Sequence, residues 1–297
     1  MPTYAFVTLD VFTDTRFGGN PLAVFPDARG LSDAHMQALA AEFNLSETTF
    51  VLPPSDPANT ARVRIFNRTA EMPFAGHPNV GTGYVLANQG RDRGGVLRFE
   101  EIAGLVEVRV ARDAAGGLTG AVIDAPRALV LGPQLTAAQV AACASLAPGD
   151  VLTAAHAPVQ ASLGVDFFFA QVSPEALGRA APDVAGFQRT SAETDAGSDR
   201  LSLFLYAPDP DGKTVRARMF APLSGTFEDA ATGSASATLG ALLLSLGSED
   251  EAAYEIIQGV EMGRPSRLHV TACRAPDGVR ASVGGGCVSV FTGEVTL

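Results

Sequence analysis

Apolar and polar residues alternate with period two in several short stretches: Val7, Leu9 and Val11; Val63 and Ile65; Val106, Val108 and Val110 against Glu107 and Arg109; and Leu201, Leu203 and Leu205. That period turns one face of a stretch toward a core and the other toward water, so each predicts a half-buried β-strand. Turn sequences such as Ala115-Gly116-Gly117 and Pro210-Asp211-Gly212 fall between strands as hairpins require. Mostly antiparallel sheet is the expectation.

Helical periodicity is rarer. Ser32, a good N-cap, precedes Met36, Leu39, Ala40 and Phe43, an i, i+3, i+4, i+7 face. Thr136 opens a second helix, with Gln139 completing a capping box and Val140 and Cys143 on the apolar side, which places Cys143 in a core. Two later segments are apolar or small all round: Val80, Gly81, Gly83, Val85 and Leu86, then Ala235, Ala237, Leu239, Ala241 and Leu242. A helix without a polar face is buried on every side. Its Gly and Ala residues let strands close tightly around it, and Gly90 and Gly247 stand where C-terminal caps belong.

The order of parts occurs twice. Ala61-Arg-Val-Arg-Ile-Phe66 leads to a helix start at Ala75-Gly76-His77-Pro78-Asn79; Val215-Arg-Ala-Arg-Met-Phe220 leads to one at Ala231-Thr232-Gly233-Ser234-Ala235. An internal duplication accounts for this. The predicted architecture is α/β of the α+β type: two pseudo-symmetric domains, each a curved, mostly antiparallel, barrel-like sheet around a central helix. Expected limits are 1–128 and 129–285, with the crossing between Pro126 and Pro133 and the last strand, about 286–297, returning to the first domain.

Composition narrows the partners. The chain has 297 residues, 46% of them apolar, enough for two packed cores. Its 21 basic and 32 acidic residues leave a net charge of −11, which repels nucleic acid and anionic lipid. Three cysteines without a CxxC pair suggest neither a disulfide framework nor a thiolate metal site, and no signal-peptide pattern or long apolar run is present. A soluble, cytoplasmic protein is expected. No GxGxxG follows a strand and no HExxH occurs, so neither a nucleotide nor a metal is anticipated.

Candidate chemistry gathers at the two buried helix starts, where unpaired N–H groups and the helix dipole favour an anion. Pro78 suits the first helical position, and Thr232 or Ser234 could cap the other helix. Three groups there can move or hold protons: Glu47, His77 and Asp229. Glu47 leads into the apolar run Thr48-Thr49-Phe50-Val51, where it is either a working carboxylate or a charge satisfied by backbone N–H groups. His77 is either functional or a capping imidazole, and Asp229 a ligand or a capping carboxylate. Glu228 reads as solvated, and His35, His156 and His269 as structural.

Together these segments resemble the PhzF-like family. The match runs through Asp10-Val11-Phe12-Thr13, Phe17-Gly18-Gly19-Asn20-Pro21, Asn44-Leu45-Ser46-Glu47-Thr48 and Pro73-Phe74-Ala75-Gly76-His77-Pro78. It continues with Arg218-Met219-Phe220-Ala221-Pro222, Glu228-Asp229, Ala231-Thr232-Gly233-Ser234-Ala235, Gln258-Gly259 and Met262-Gly263-Arg264-Pro265-Ser266. The resemblance implies a diaminopimelate-epimerase-like fold, a homodimer, no metal, flavin or nicotinamide, and a small carboxylated substrate in a cleft between the halves. It also implies isomerisation of the type performed on trans-2,3-dihydro-3-hydroxyanthranilate. By the same resemblance Glu47 transfers the proton, His77 and Asp229 polarise the substrate, Gly233 and Ser234 hold its carboxylate, and Asn20 and Gly76 line the site. Relatives on this fold that racemise with two thiols carry one at each helix start; here those positions read Gly76-His77 and Gly233-Ser234. Asn79 and Ala230 replace the family's usual Thr and Pro, which puts the substrate's identity in question. The competing expectation is a non-catalytic binding or regulatory protein on the same fold.

Overall fold

The computed structural model describes residues 1–194 and 201–297. They form two compact units, Met1–Asp124 with Val283–Leu297, and Ala125–Ser282.

The first unit contains β1 (Thr3–Val11), β2 (Asn20–Phe25), α1 (Asp33–Phe43), β3 (Glu47–Leu52), β4 (Ala61–Phe66), β5 (Glu71–Met72), α2 (Gly76–Asn88), β6 (Val96–Glu101), β7 (Gly104–Arg112) and β8 (Leu118–Asp124). The second contains β9 (Val130–Gln134), α3 (Ala137–Ala144), β10 (Val151–Leu152), β11 (Val159–Ser162), β12 (Asp166–Val172), α4 (Pro174–Arg179) and α5 (Val184–Glu193). It continues through β13 (Leu203–Pro208), β14 (Thr214–Ala221), β15 (Thr226–Asp229), α6 (Gly233–Leu246), β16 (Glu251–Gln258) and β17 (Ser266–Ala275). The last strand, β18 (Gly278–Thr296), begins in the second unit and ends in the first.

In the first unit β1, β2, β3, β4, β6, β7, β8 and β18 pair in succession, and β18 returns to β1, closing an eight-stranded barrel. Helix α2 fills it, and its glycines explain how: a Cβ on Gly81 would stand 2.6 Å from Leu22, and one on Gly83 2.6 Å from Val108. Both distances are shorter than a carbon–carbon contact permits. Outside the barrel, α1 covers an apolar cluster that includes Phe25, Phe50, Met36 and Leu39. The Ser32 hydroxyl accepts the His35 N–H at its start, and Asn44 closes it in the left-handed conformation.

In the second unit β9, β11, β12, β13, β14, β16 and β17 pair in succession, and the Leu129 N–H bonds Val279 O at the start of β18. Helix α6 packs against β16 and β17, with Gly240 admitting Val270 where a Cβ would lie 2.4 Å away. A second apolar cluster joins α3, α4 and α5 to the sheet and contains Cys143, Phe168, Phe187 and Phe220. Thr136 and Gln139 form the expected capping box.

Three local expectations change. Leu203–Ala207 is buried without interruption rather than on alternate residues: Leu203, Leu205 and Ala207 pack into the cluster with α3, α4 and α5, while Phe204 and Tyr206 on the other face meet Phe169 and His156. On β7 only Val108 is fully buried, while Val106 and Val110 are partly exposed. Glu228 is not solvated: its carboxylate takes two hydrogen bonds from Arg218, Nε at 2.7 Å and Nη2 at 2.8 Å.

That last arrangement displays the duplication in side chains. In the first unit Arg64 makes the same paired bonds to Glu71, at 2.7 and 2.6 Å, and lies 5.1 Å from the centre of the Phe66 ring. In the second, Arg218 lies 4.9 Å from the Phe220 ring centre. Each arginine sits two residues before a phenylalanine near the end of its strand, on a strand paired parallel to the one that follows the central helix.

Candidate functional site

The first unit brings Glu47 and His77 together. Strand β3 begins at Glu47, which stands opposite Leu22 in the parallel β2–β3 register, so the carboxylate sits at the end of the sheet where β2 begins with Asn20. Two residues along, the Thr49 hydroxyl meets that of Thr82 at 2.8 Å in the core. This clasp fixes β3 against α2, whose first turn carries Gly76 and His77. The outcome is a separation of 3.3 Å between His77 Nε2 and Glu47 Oε2, with the Glu47 side chain only 15% exposed.

The two residues are close without forming an ion pair. Burial drives the His77 pKa down from 6.5 to about 3, so the imidazole is neutral near neutral pH. The approach also misses hydrogen-bond alignment, leaving Nε2 buried with no such partner. A neutral ring beside a carboxylate can donate a hydrogen bond without neutralising it, and a loose contact of this kind can tighten when substrate arrives.

The start of α2 differs from the sequence reading. The helix begins at Gly76, which makes Pro78 its third residue rather than its first, and Ala75 offers no side-chain cap. Asn79 instead reaches back one turn, its Nδ2 donating to Ala75 O at 3.1 Å. Beside Asn79 lies Glu101, whose two carboxyl oxygens are sealed from solvent without a hydrogen bond. Burial pushes its carboxyl up to about 8, against a smaller opposing pull from the Asn79 amide. The carboxyl therefore rests protonated at neutral pH. The only sequence signal was an acidic residue at the end of an alternating strand, Glu100-Glu101.

In the second unit Asp229, Thr232, Gly233 and Ser234 lie together at the start of α6. Thr232 occupies the N-cap position but does not cap. Its hydroxyl donates to Asp229 Oδ2 at 2.7 Å. Gln258, fully buried, braces the turn: Oε1 accepts the Thr232 N–H at 3.0 Å, and Nε2 donates to Asp229 O at 2.8 Å and to Thr232 Oγ1 at 3.0 Å. Ser266 Oγ holds Ala230 O at 2.9 Å. Gly259 has φ +74, and a Cβ there would meet Ala230 O and Arg264 O at 2.5 Å. The motif around Gln258, Gly259 and Ser266 thus serves as a mould for the Asp229 turn. The first amides of α6 have no intrahelical acceptors and carry the positive end of the dipole.

Among the described residues, no group of three or more His, Cys, Asp and Glu side chains is arranged to hold a metal ion. No described helix is long and apolar enough to cross a membrane. Cys143 lies in the core, its thiol 3.4 Å from Thr190 Oγ1. His156 bonds the Tyr206 hydroxyl at 2.6 Å, and His35 and His269 are exposed.

Comparison with known proteins agrees with this architecture. The family described as phenazine biosynthesis-like protein, PhzC-PhzF, matches residues 9–293. An uncharacterized isomerase from Mesorhizobium japonicum is 34% identical over the full length of both chains. The trans-2,3-dihydro-3-hydroxyanthranilate isomerase of Pseudomonas aeruginosa is 34% identical over 94% of each. The crystal structure of a Bacillus anthracis phenazine biosynthesis protein of the PhzF family superposes with a TM-score of 0.87 over all of both chains at 24% identity, a likeness of fold.

Proposed function

Because the chain belongs to the phenazine biosynthesis-like PhzC-PhzF family, we propose that it is a cofactor-independent isomerase that shifts a proton between two carbons of a small carboxylated substrate. The observation that carries this reading is the Glu47 carboxylate held 3.3 Å from a neutral, buried His77. Glu47 removes the proton from one carbon, and the released electron pair moves into the adjoining π-system. The same carboxyl then returns a proton to a second carbon. Nothing is oxidised or reduced, so the step calls for no flavin or nicotinamide as electron carrier. His77, uncharged, donates a hydrogen bond as negative charge develops, in a buried site where such a bond is worth more than in water.

In the second unit, Asp229 polarises the substrate from a turn fixed by Thr232 and Gln258, and the amides of Gly233 and Ser234 take the carboxylate at the positive end of α6. Asn20 and Gly76 line the site beside Glu47 and His77. The proposed substrate resembles trans-2,3-dihydro-3-hydroxyanthranilate, on which the Pseudomonas aeruginosa relative acts by its name. A cytoplasmic homodimer is part of the same proposal. Steady-state kinetics with that compound test it: Glu47→Gln should lower kcat by about a hundredfold or more while circular dichroism and melting stay unchanged. Undiminished turnover in a folded Glu47→Gln protein contradicts the assignment.

A further inference from the structure

The loop joining β1 to β2 holds a phenylalanine in a manner that the barrel does not require. Phe17 has φ +72, in the left-handed region that bulky side chains avoid, and its side chain is 65% exposed. Both features are unfavourable, and the surroundings enforce them. The Phe17 N–H donates to Oδ2 of the buried Asp10 at 2.7 Å, and the Gly18 N–H to Thr15 O at 3.2 Å. Arg16 Nε anchors to Ser289 O at 2.9 Å, while the N–H groups of Phe12 and Thr13 both reach Gly286 O. Gly19, at φ +60, passes so close to the chain that a Cβ would stand 2.4 Å from Val11 O. An aromatic ring displayed on a loop fixed from so many sides is a held group rather than a leftover, and strain that persists under such constraint marks function.

Its place says which function. The loop runs directly into Asn20 at the start of β2, and β2 lies in parallel register with β3, which starts at Glu47. Phe17 therefore rises from the same end of the sheet as the Glu47–His77 pair. We propose that Phe17 is a specificity-determining residue of that site, its ring covering the apolar face of a flat six-membered-ring substrate whose polar edge faces Asn20 and His77. The proposal rests on the reading of Glu47 as acid/base and adds the residue that selects a ring at that site. A rigid aromatic surface binds a flat ring with little ordering cost, because its own conformation is already set.

The test uses the full chain with Phe17→Ala, Phe17→Leu and Phe17→Gly. Calorimetry measures binding of 3-hydroxyanthranilate, a flat ring that does not turn over, with succinate as the ringless control. Phe17→Ala should weaken 3-hydroxyanthranilate by about tenfold, Phe17→Leu by about threefold, and neither should change succinate. Phe17→Gly should weaken the ring as much as Phe17→Ala without lowering the melting temperature, since glycine accepts the left-handed backbone freely. Four results overturn the proposal: unchanged ring affinity in Phe17→Ala, a wild type that does not bind the ring, a fall in melting temperature in both Phe17→Ala and Phe17→Gly, or a shift in oligomeric state in sedimentation that tracks the loss. Glu47→Gln measured in parallel separates the two readings. Ring binding that depends on Phe17 without any isomerisation leaves this assignment standing and removes the catalytic one; isomerisation that depends on Glu47 but is indifferent to Phe17 does the reverse.

Discussion

Thr49 and Thr82 share a buried hydrogen bond of 2.8 Å that joins the strand beginning at Glu47 to the helix carrying His77. Replacing one hydroxyl leaves the other buried without its partner, at a cost of about 1–3 kcal/mol. Thr49→Val should therefore lower stability in urea by that order. The double variant Thr49→Val/Thr82→Val should lose less than the sum of the singles, because no orphan remains. Additive losses in this cycle would show that the two hydroxyls do not depend on each other.

Arg218 is nearly inaccessible, paired with Glu228, and its Nη1 also bonds the carbonyls of Leu177 at 3.0 Å and Ala180 at 2.6 Å. Arg218→Ala strands both a buried carboxylate and two carbonyl groups, so a loss of about 3–5 kcal/mol is expected in chemical denaturation. Arg64→Ala should lose less. Its guanidinium is more exposed, and one of its carboxylate partners, Asp33, is largely in water. Equal losses would mean that the carbonyl contacts contribute nothing.

How far such features could be read from the sequence depends on which interactions are local. Ser32, Thr136 and Gln139 act within one helical turn, and the structure uses them as read. The small residues of α2 and α6 also disclosed two buried helices, because a helix with no polar side has nowhere else to go. The sequence places the start of α2 two residues late, at Pro78 rather than Gly76. Pro78 fits a first turn in general, and only the tertiary setting of Gly76 and Ala75 decides which residue of that turn it takes. Thr232 could not be distinguished from a cap, since its actual partner Asp229 is equally near in sequence. Gln258 and Glu101 owe their roles to long-range contacts, and no periodicity reports the burial of a single polar group. Glu47 and His77 were singled out by chemistry and neighbours, and their 3.3 Å approach spans a strand and a helix that only the closed barrel brings together.

Two buried groups give stability opposite dependences on pH. His77, depressed to about 3 from 6.5, is neutral when folded, while the unfolded chain takes up a proton below 6.5. Its contribution is complete above pH 6.5 and is lost as pH falls toward 3. Glu101, raised to about 8 from 4.5, stays protonated when folded, while the unfolded chain releases its proton above 4.5. That contribution is complete below 4.5 and is lost as pH rises through 8. Each slope is at most about 1.4 kcal/mol per pH unit, and the two oppose each other between 4.5 and 6.5. Glu101→Gln should flatten the decline that the wild type shows from pH 6.5 to 8 in urea titrations. An unchanged decline would place the responsible group elsewhere.

Gln258 makes three hydrogen bonds to the turn that presents Asp229. Gln258→Leu keeps the volume but removes the acceptor of the buried Thr232 N–H and a donor to Asp229 O, and the orphaned N–H costs about 1–3 kcal/mol. The turn should loosen before the barrel does. Hydrogen exchange is expected to accelerate at residues 229–234 while the amides of β3 and α2 keep their protection; uniform acceleration would contradict a local brace.

The most direct measurement of the central claim is proton transfer followed by NMR in deuterated buffer, with trans-2,3-dihydro-3-hydroxyanthranilate as substrate and Glu47→Gln beside the wild type. Wild-type protein should isomerise the compound and place deuterium at the carbon that receives the proton, as Glu47 exchanges with solvent, and Glu47→Gln should do neither. Isomerisation at the wild-type rate by Glu47→Gln would contradict the account.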